Sequence, residues 1–326
     1  MMRRIAAAVT LFALLVGAAR ADWQHREAAI MGTRIAVELW HEDPVAAGEA
    51  IDAVMAEMRR IDLLMSHYKP ESQLSRVNRE AAAGPVRVDP ELARLVARAL
   101  EFSELTGGAF DISYASVGYL YDYREHRHPT EEQIREALPG VNWRHIEVDP
   151  VASTVRFRRP GMRIDLGGIA KGHAVDRGIA ILRERGIRHA SVTAGGDSYL
   201  LGDRRGRPWV VGIRHPDDQK RVIARIPLAD AAISTSGDYE RYFEEDGVRY
   251  HHIINPRTGR SATGVRSVTI IAPTSTLAEG LTKGVFILGP ERGIALAESQ
   301  PDVDAIVVRD DGKVFYSRGL EPAGDE

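Results

Sequence analysis

Apolar positions change their period several times along this chain, and each change marks an element. Between Glu27 and Trp40, Ile30, Ile35, Val37 and Leu39 fall in the two-residue alternation of a half-buried strand, interrupted at Gly32. From Pro44 to Met65 the spacing lengthens. Ile51, Val54, Met55, Met58, Ile61 and Leu64 recur every three or four residues, which predicts a helix with one apolar face. Pro90 to Leu105 repeats that pattern through Leu92, Leu95, Val96, Ala99 and Leu100, and Pro90 suits a helix start. Short strands are predicted around Ile146, Val155 and Ile164, followed by a helix from Ala170 to about Arg185. The second half reads mostly as strands: Ala190–Thr193, Trp209–Ile213, Val222–Ile226, Ala231–Thr235, Tyr250–Ile254 and Ser267–Ala272. A helix from Leu277 to about Phe286 and another near Ile294 precede a final strand at Ala305–Val308. Strands arrive in runs with helices clustered between them. That order favours an α+β fold, with mixed or antiparallel sheets, over a doubly wound parallel sheet.

The N-terminus adds an address. Arg3 and Arg4 precede an apolar run from Ile5 to Ala18 that is short for a membrane span, and Ala19-Arg20-Ala21 forms a small-x-small cleavage pattern. Residues 1–21 therefore read as a cleavable signal peptide, with the mature chain starting at Asp22. The chain has no cysteine, so a lipidated N-terminus, disulfides, thiolate metal sites and a cysteine nucleophile are all excluded. The expected location is the periplasm, as a soluble protein without a stable membrane span. Residues 22–319 are read as a single domain and 320–326 as a disordered tail. Composition is that of an ordinary globular enzyme, 44% hydrophobic and 27% charged. The formal charge is −3, the leader removes three arginines from it, and no long basic tract remains, so nucleic acid is not an expected partner.

Candidate chemistry concentrates at 163–176, RIDLGGIAKGHAVD. A strand would deliver Asp165 and turn through Gly167 and Gly168 into a helix carrying Lys171. Two glycines allow close backbone approach, and a helix N-terminus offers free N–H groups and a positive dipole end. The segment fits a diphosphate cradle, and it fits equally a tight strand–helix turn with a surface lysine. It is neither a Walker A loop nor a GxGxxG loop. TGGAFD at 106–111, TAGGD at 193–197 and STSGD at 234–238 each end in a carboxylate. Singly they read as turns; together they suggest a lined cleft. His251 and His252 sit beside an apolar strand, where alternation would point them to opposite faces. The polar stretch SHYKPESQLSRVN at 66–78 reads as a loop whose Tyr68 is able to stack on a planar ring. No HExxH spacing and no GxSxG elbow is present.

These segments, in this order, resemble the ApbE-type FAD:protein FMN transferase family. The resemblance rests on Met31-Gly32-Thr33, SHYKPESQLSRVN, TGGAFDI at 106–112, DLGGIAKGHAVD at 165–176, TAGGD, STSGDYERYF at 234–243, HHIINPRTG at 251–259 and APTSTLAEGLTKGVFILG at 272–289. It runs from about residue 28 to 309, nearly the whole mature chain. It implies an α+β fold that binds FAD as substrate, uses magnesium (Mg2+), and leaves FMN on a Thr or Ser of a partner redox protein. By the resemblance, Met31 and Tyr68 flank the isoalloxazine ring, and Ala109, Phe110 and Asp111 line the flavin pocket. Asp165 and Lys171 contact FAD, Ile254 lies in a cofactor-contacting strand, and His252 is the base. The carbonyl of Gly168 is a metal ligand.

One departure stands out. Family members carry Asp and, four residues later, Thr as metal ligands, whereas this chain has Glu279 and Lys283. Glutamate still offers oxygen; a protonated lysine has no lone pair for magnesium. At i,i+4 the two residues either form a surface ion pair or face the pyrophosphate together, with Lys283 as a tethered catalytic cation. Three functions remain open at this level: FMN transfer, hydrolysis of FAD to FMN and AMP, and non-catalytic FAD carriage.

Overall fold

The computed structural model describes residues 22–216, 218 and 220–320. The leader assigned to 1–21 lies outside them, as do residues 321–326 of the tail. Leu320 does not belong to a disordered tail. It ends a 3-10 turn, Arg318–Leu320, and packs against an apolar cluster.

Eight strands make one sheet: β1 (Asp22–Ile30), β2 (Thr33–His41), β3 (Ala190–Ala194), β4 (Asp197–Leu201), β5 (Ala231–Gly237), β6 (Val265–Ala272), β7 (Asp304–Arg309) and β8 (Val314–Tyr316). Each pairs antiparallel with the next, so the sheet runs in chain order and everything else is inserted between its strands. Alternation divides the two faces. Ile35, Val37 and Leu39 of β2 and Val268, Ile270 and Ala272 of β6 enter the main core beneath the helices. Ile233, Ile271 and Ile306 point the other way, where Ile213 and Ile226 of a hairpin (Trp209–Arg214 with Val222–Leu228) cover them. Helices α1 (Pro44–Met65), α2 (Gln73–Glu80), α3 (Pro90–Leu105), α4 (Ala170–Glu184), α5 (Ser275–Leu288) and α6 (Pro290–Glu298) complete the α+β architecture. Among the described residues no helix is long and apolar enough to cross a membrane.

The interruption at Gly32 is a two-residue hairpin turn. Met31 and Gly32 have φ of 55° and 68°, the left-handed pair whose twist matches the flanking strands. That conformation costs a non-glycine residue such as Met31 about 1–3 kcal/mol. Three further expectations change. The polar stretch 66–78 does not stay a loop: Ser72 caps α2 by accepting from the Ser75 N–H, and Leu74 and Val77 bury. Ile164 is held without a strand, its N–H and C=O both bonded to the Asn78 side chain. The strand expected at Tyr250–Ile254 covers Val248–His251 and pairs only with Tyr242–Glu245, leaving His252 and Ile253 beyond its end.

Candidate active site

The glycine turn and three elements meet around a buried set of charges. Lys171, on the first turn of α4, reaches the Asp197 carboxylate at 2.9 Å, the carbonyl of Gly167 at 3.1 Å, and Glu279. Asp197 opens β4 after the Gly195-Gly196 turn, is 2% exposed, and accepts from the Ser234 hydroxyl of β5 at 2.5 Å. Glu279 is fully buried on the inner face of α5. One oxygen takes Lys171 and, at 3.5 Å, Lys283; the other accepts the Gly172 N–H at 2.7 Å. The surface ion pair is thereby excluded. So is a helix N-terminus with all its N–H groups free, because Glu279 already takes one of them.

The charges shape one another's protonation. Burial alone would lower Lys171, yet Asp197 and Glu279 hold it above the ordinary lysine range. Burial likewise opposes ionisation of Asp197, and Lys171 and Lys283 more than compensate, leaving it low. Burial and the neighbouring Lys171 push Lys283 down, against the pull of Glu279. Burial and Asp197 push Glu279 up.

Asp165 already has three partners inside the protein. One oxygen accepts the Gly167 N–H at 2.7 Å and lies 3.3 Å from His67 Nδ1, and the other accepts the Tyr114 hydroxyl at 2.9 Å. Burial favours its neutral form; His67 and these hydrogen bonds outweigh that and keep its pKa low. Its structural work is to staple the turn that presents Gly168. A Cβ at Gly168 would sit 3.2 Å from the Phe110 ring and 3.9 Å from the Lys283 stem, so Gly168 separates the two. Ala109, Phe110 and Asp111 are buried. The Asp111 carboxylate accepts from the Ser113 N–H, the Ser113 hydroxyl and the Trp143 N–H, fixing the wall that carries Phe110. Tyr68 is 76% exposed, its ring 3.8 Å from that of His67.

The two histidines differ sharply. His251 is pinned: Nε2–H donates to the Ala262 carbonyl at 2.7 Å and Nδ1 accepts the Ile253 N–H at 3.3 Å. His252 has a solvent-shielded Nδ1 with no partner among the described residues. Burial, then the positive charges of Lys283 and Arg241, lower its pKa to about 3. Arg241 in turn donates to the Gly32 carbonyl of the hairpin turn at 3.2 Å. A line of neighbours thus runs from Met31-Gly32 to Arg241, whose carbonyl takes the His252 N–H, on through the positive charge of Lys283 to Gly168, and through Asp165 and His67 to Tyr68. Ile254 lies apart from this line, packed with Val117, Tyr121 and Ile134. A shallow cleft of about 510 Å³ follows Glu27–Arg34 and Asp62, touching Met31 but none of the buried charges.

Asp197, His67, Tyr114 and Arg241 did not stand out as site residues in the sequence. Asp197 carried a signal, a carboxylate closing a Gly-Gly turn; His67 and Arg241 lay within motifs without a reason to prefer them, and Tyr114 lay outside every motif.

The magnesium site implied by the resemblance is not matched by the donors present. Magnesium demands near-octahedral oxygen ligation. Lys283 supplies only N–H donors, and both Glu279 oxygens are engaged by N–H groups. The adjacent hydroxyl, Thr282, turns away to donate to the Glu279 carbonyl and accept from Ser236. Among the described residues no group of three His, Asp or Glu side chains converges as a metal site.

An α+β scaffold that gathers paired lysines and carboxylates at a glycine turn, beside an unpartnered histidine, defines an enzyme built to handle a phosphate-bearing ligand. The chain belongs to the ApbE family, which it matches over residues 31–307. It is 35% identical to the FAD:protein FMN transferase of Treponema pallidum over 93% of this chain and 89% of the relative. It is 34% identical to that of Vibrio cholerae over 98% and 99%. Among solved structures, the ApbE protein of Thermotoga maritima superposes with a TM-score of 0.84 at 34% identity, covering 91% of this chain and 98% of the other. The flavin transferase ApbE of Vibrio cholerae gives 0.82 at 32% identity, covering 93% and 99%.

Proposed function

We propose that this chain moves FMN from FAD onto a threonine, or serine, hydroxyl of a partner redox protein, in the periplasm. The observation that carries the reading is the Lys171–Asp197–Glu279–Lys283 cluster, set at the Gly167-Gly168 turn with the unpartnered His252 beside it. The acceptor hydroxyl oxygen bonds to the FMN phosphorus, and the bond from that phosphorus to the bridging pyrophosphate oxygen breaks. AMP leaves with the bridging oxygen and its electron pair. The hydroxyl proton passes to His252, which is unprotonated in neutral solution and becomes a stronger base when the negative pyrophosphate offsets the positive charges of Lys283 and Arg241 that help to lower its pKa. Such a reaction needs charge neutralisation and alignment more than covalent help, which suits the Lys283 ammonium beside the glycine turn, with Lys171 ordering the carboxylates around it. Met31 and Tyr68 are proposed to hold the isoalloxazine ring, with the Ala109–Asp111 wall behind it. The periplasmic location is supported by the leader pattern in residues 1–21. Hydrolysis and FAD carriage are less favoured, because the relatives carry the name of a transferase.

The test is incubation of the purified chain with FAD and a threonine-bearing acceptor domain, with and without magnesium. Flavin that stays on the acceptor through denaturing electrophoresis supports transfer. AMP without labelled acceptor points to hydrolysis, and FAD bound but intact points to carriage.

A further inference from the structure

We propose that Lys283 is a built-in cation for the FAD pyrophosphate, so that this chain binds and cleaves FAD without a divalent metal. The inference rests on the FMN-transfer reading and names what neutralises its substrate. It starts from the mismatch between the residues here and an oxygen-ligated metal site.

The two lysines of the cluster have different commitments. An ammonium group has three N–H donors. Lys171 meets three partners, Asp197, Glu279 and the Gly167 carbonyl, and is fully occupied inside the protein. Among the described residues Lys283 hydrogen-bonds Glu279 alone, at 3.5 Å, which leaves two N–H directions to spare. Its Cδ and Cε run beside Gly168, and its side chain keeps 19% of its exposure, so the stem passes the glycine turn without being wholly closed off from solvent. The buried carboxylates have their own partners: Lys171 and Ser234 serve Asp197, while Lys171 and the Gly172 N–H serve Glu279. Each keeps these partners without Lys283, whose positive charge acts on both carboxylates through space. Glu279 acts as the hinge post of this arrangement, a positioning residue that holds Lys283 one helical turn along α5.

The chemistry follows from the geometry. A tethered ammonium offers one charge and directed N–H donors, without the octahedral template a divalent ion supplies. With Arg241 across the line of contacts, it gives an incoming diphosphate a cationic frame held by covalent bonds.

The experiment is FAD binding by flavin fluorescence, with AMP release by chromatography, each after chelator treatment and again with millimolar magnesium. Wild type should bind FAD with affinities that agree within about twofold in the two conditions. Lys283→Gln should weaken binding on the order of ten- to a hundredfold in both, as expected for loss of a charged hydrogen-bonding partner. Lys283→Arg should recover most of it. Circular dichroism and thermal unfolding of each variant establish that it folds. The double variant Glu279→Asp, Lys283→Thr should gain magnesium binding by calorimetry and become metal-dependent for FAD. Wild-type binding abolished by chelator, or Lys283→Gln binding as tightly as wild type, overturns the proposal. A chain that binds and cleaves FAD without metal but never labels an acceptor overturns FMN transfer and leaves Lys283 in place. One that labels an acceptor only with magnesium does the reverse.

Discussion

His251 and His252 are sequence neighbours with separate tasks, and their hydrogen bonds separate them. His251 satisfies both ring nitrogens only as the neutral imidazole, and burial lowers its pKa to about 4. Its folded pKa lies below the ordinary value of about 6.5, so the unfolded chain binds more protons as pH drops. The stability it contributes is present above about pH 6.5 and is lost as pH falls toward 4. Melting temperature should therefore decline across that window, and His251→Gln should flatten the decline; equal slopes in both proteins would remove His251 as the cause. His252→Ala should instead act on rate. General-base losses are on the order of 10²–10⁴-fold, measured here as FMN transfer at equal FAD occupancy, with His251→Ala nearly normal per folded molecule. Similar mild effects in both would sink the assignment. Tyr68 is largely exposed and touches the His67 ring, so Tyr68→Ala should change the melting temperature little. It should weaken FAD binding by about 1–3 kcal/mol, the usual size of a ring-stacking loss.

At the scale of elements, the charge cluster depends on how closely α4 and α5 cross. A Cβ at Gly172 would lie 2.4 Å from the Ser275 carbonyl oxygen, a backbone atom unable to swing aside. Farther along α4, Asp176 caps α5, accepting from the Ser275 and Thr276 N–H groups at 2.7 and 2.8 Å and from the Thr276 hydroxyl at 2.6 Å. One helix thus fixes the start of the other, and with it the depth of Glu279 and Lys283. Asp176→Ala should cost about 0.5–2 kcal/mol in denaturant unfolding, the range for loss of a helix cap. Gly172→Ala should cost about 1–3 kcal/mol through overpacking and should also weaken FAD binding, because Lys171 and Glu279 move apart. An alanine variant with native stability and native FAD affinity would mean the crossing is looser than its geometry indicates.

The ligand site proposed here draws on segments distant in sequence: the β1–β2 turn, residues 67–68, the wall at 109–111, α4, β4, β5, His252 and α5. A ligand that ties these together binds only the folded chain. At a hundred times its dissociation constant it stabilises by about 2.7 kcal/mol. FAD should therefore raise the melting temperature well above the shift given by FMN at the same concentration. The pyrophosphate contacts proposed for Lys283 and the glycine turn are available in full only to FAD. Equal shifts for the two flavins would mean that the ring, not the diphosphate, dominates recognition.

Local pattern decided much of this protein. The helices at Pro44–Met65 and Pro90–Leu105 and the strand at Val265–Ala272 are legible because periodic burial is written residue by residue, and the ordered glycine-rich motifs carried the family. Tertiary structure decided what those motifs do. Spacing placed Glu279 and Lys283 on one face of a helix but said nothing of which way that face looks; packing of α5 against β5 and β6 buried Glu279 completely. Asp165 looked unpartnered in the sequence and is held by Tyr114 and His67, 51 and 98 positions earlier in the chain. Lys171 finds Glu279 across 108 residues. Periodicity records which side chains leave water. Which charges then meet is set where elements cross, and that depends on closing the chain over distances no local pattern encodes.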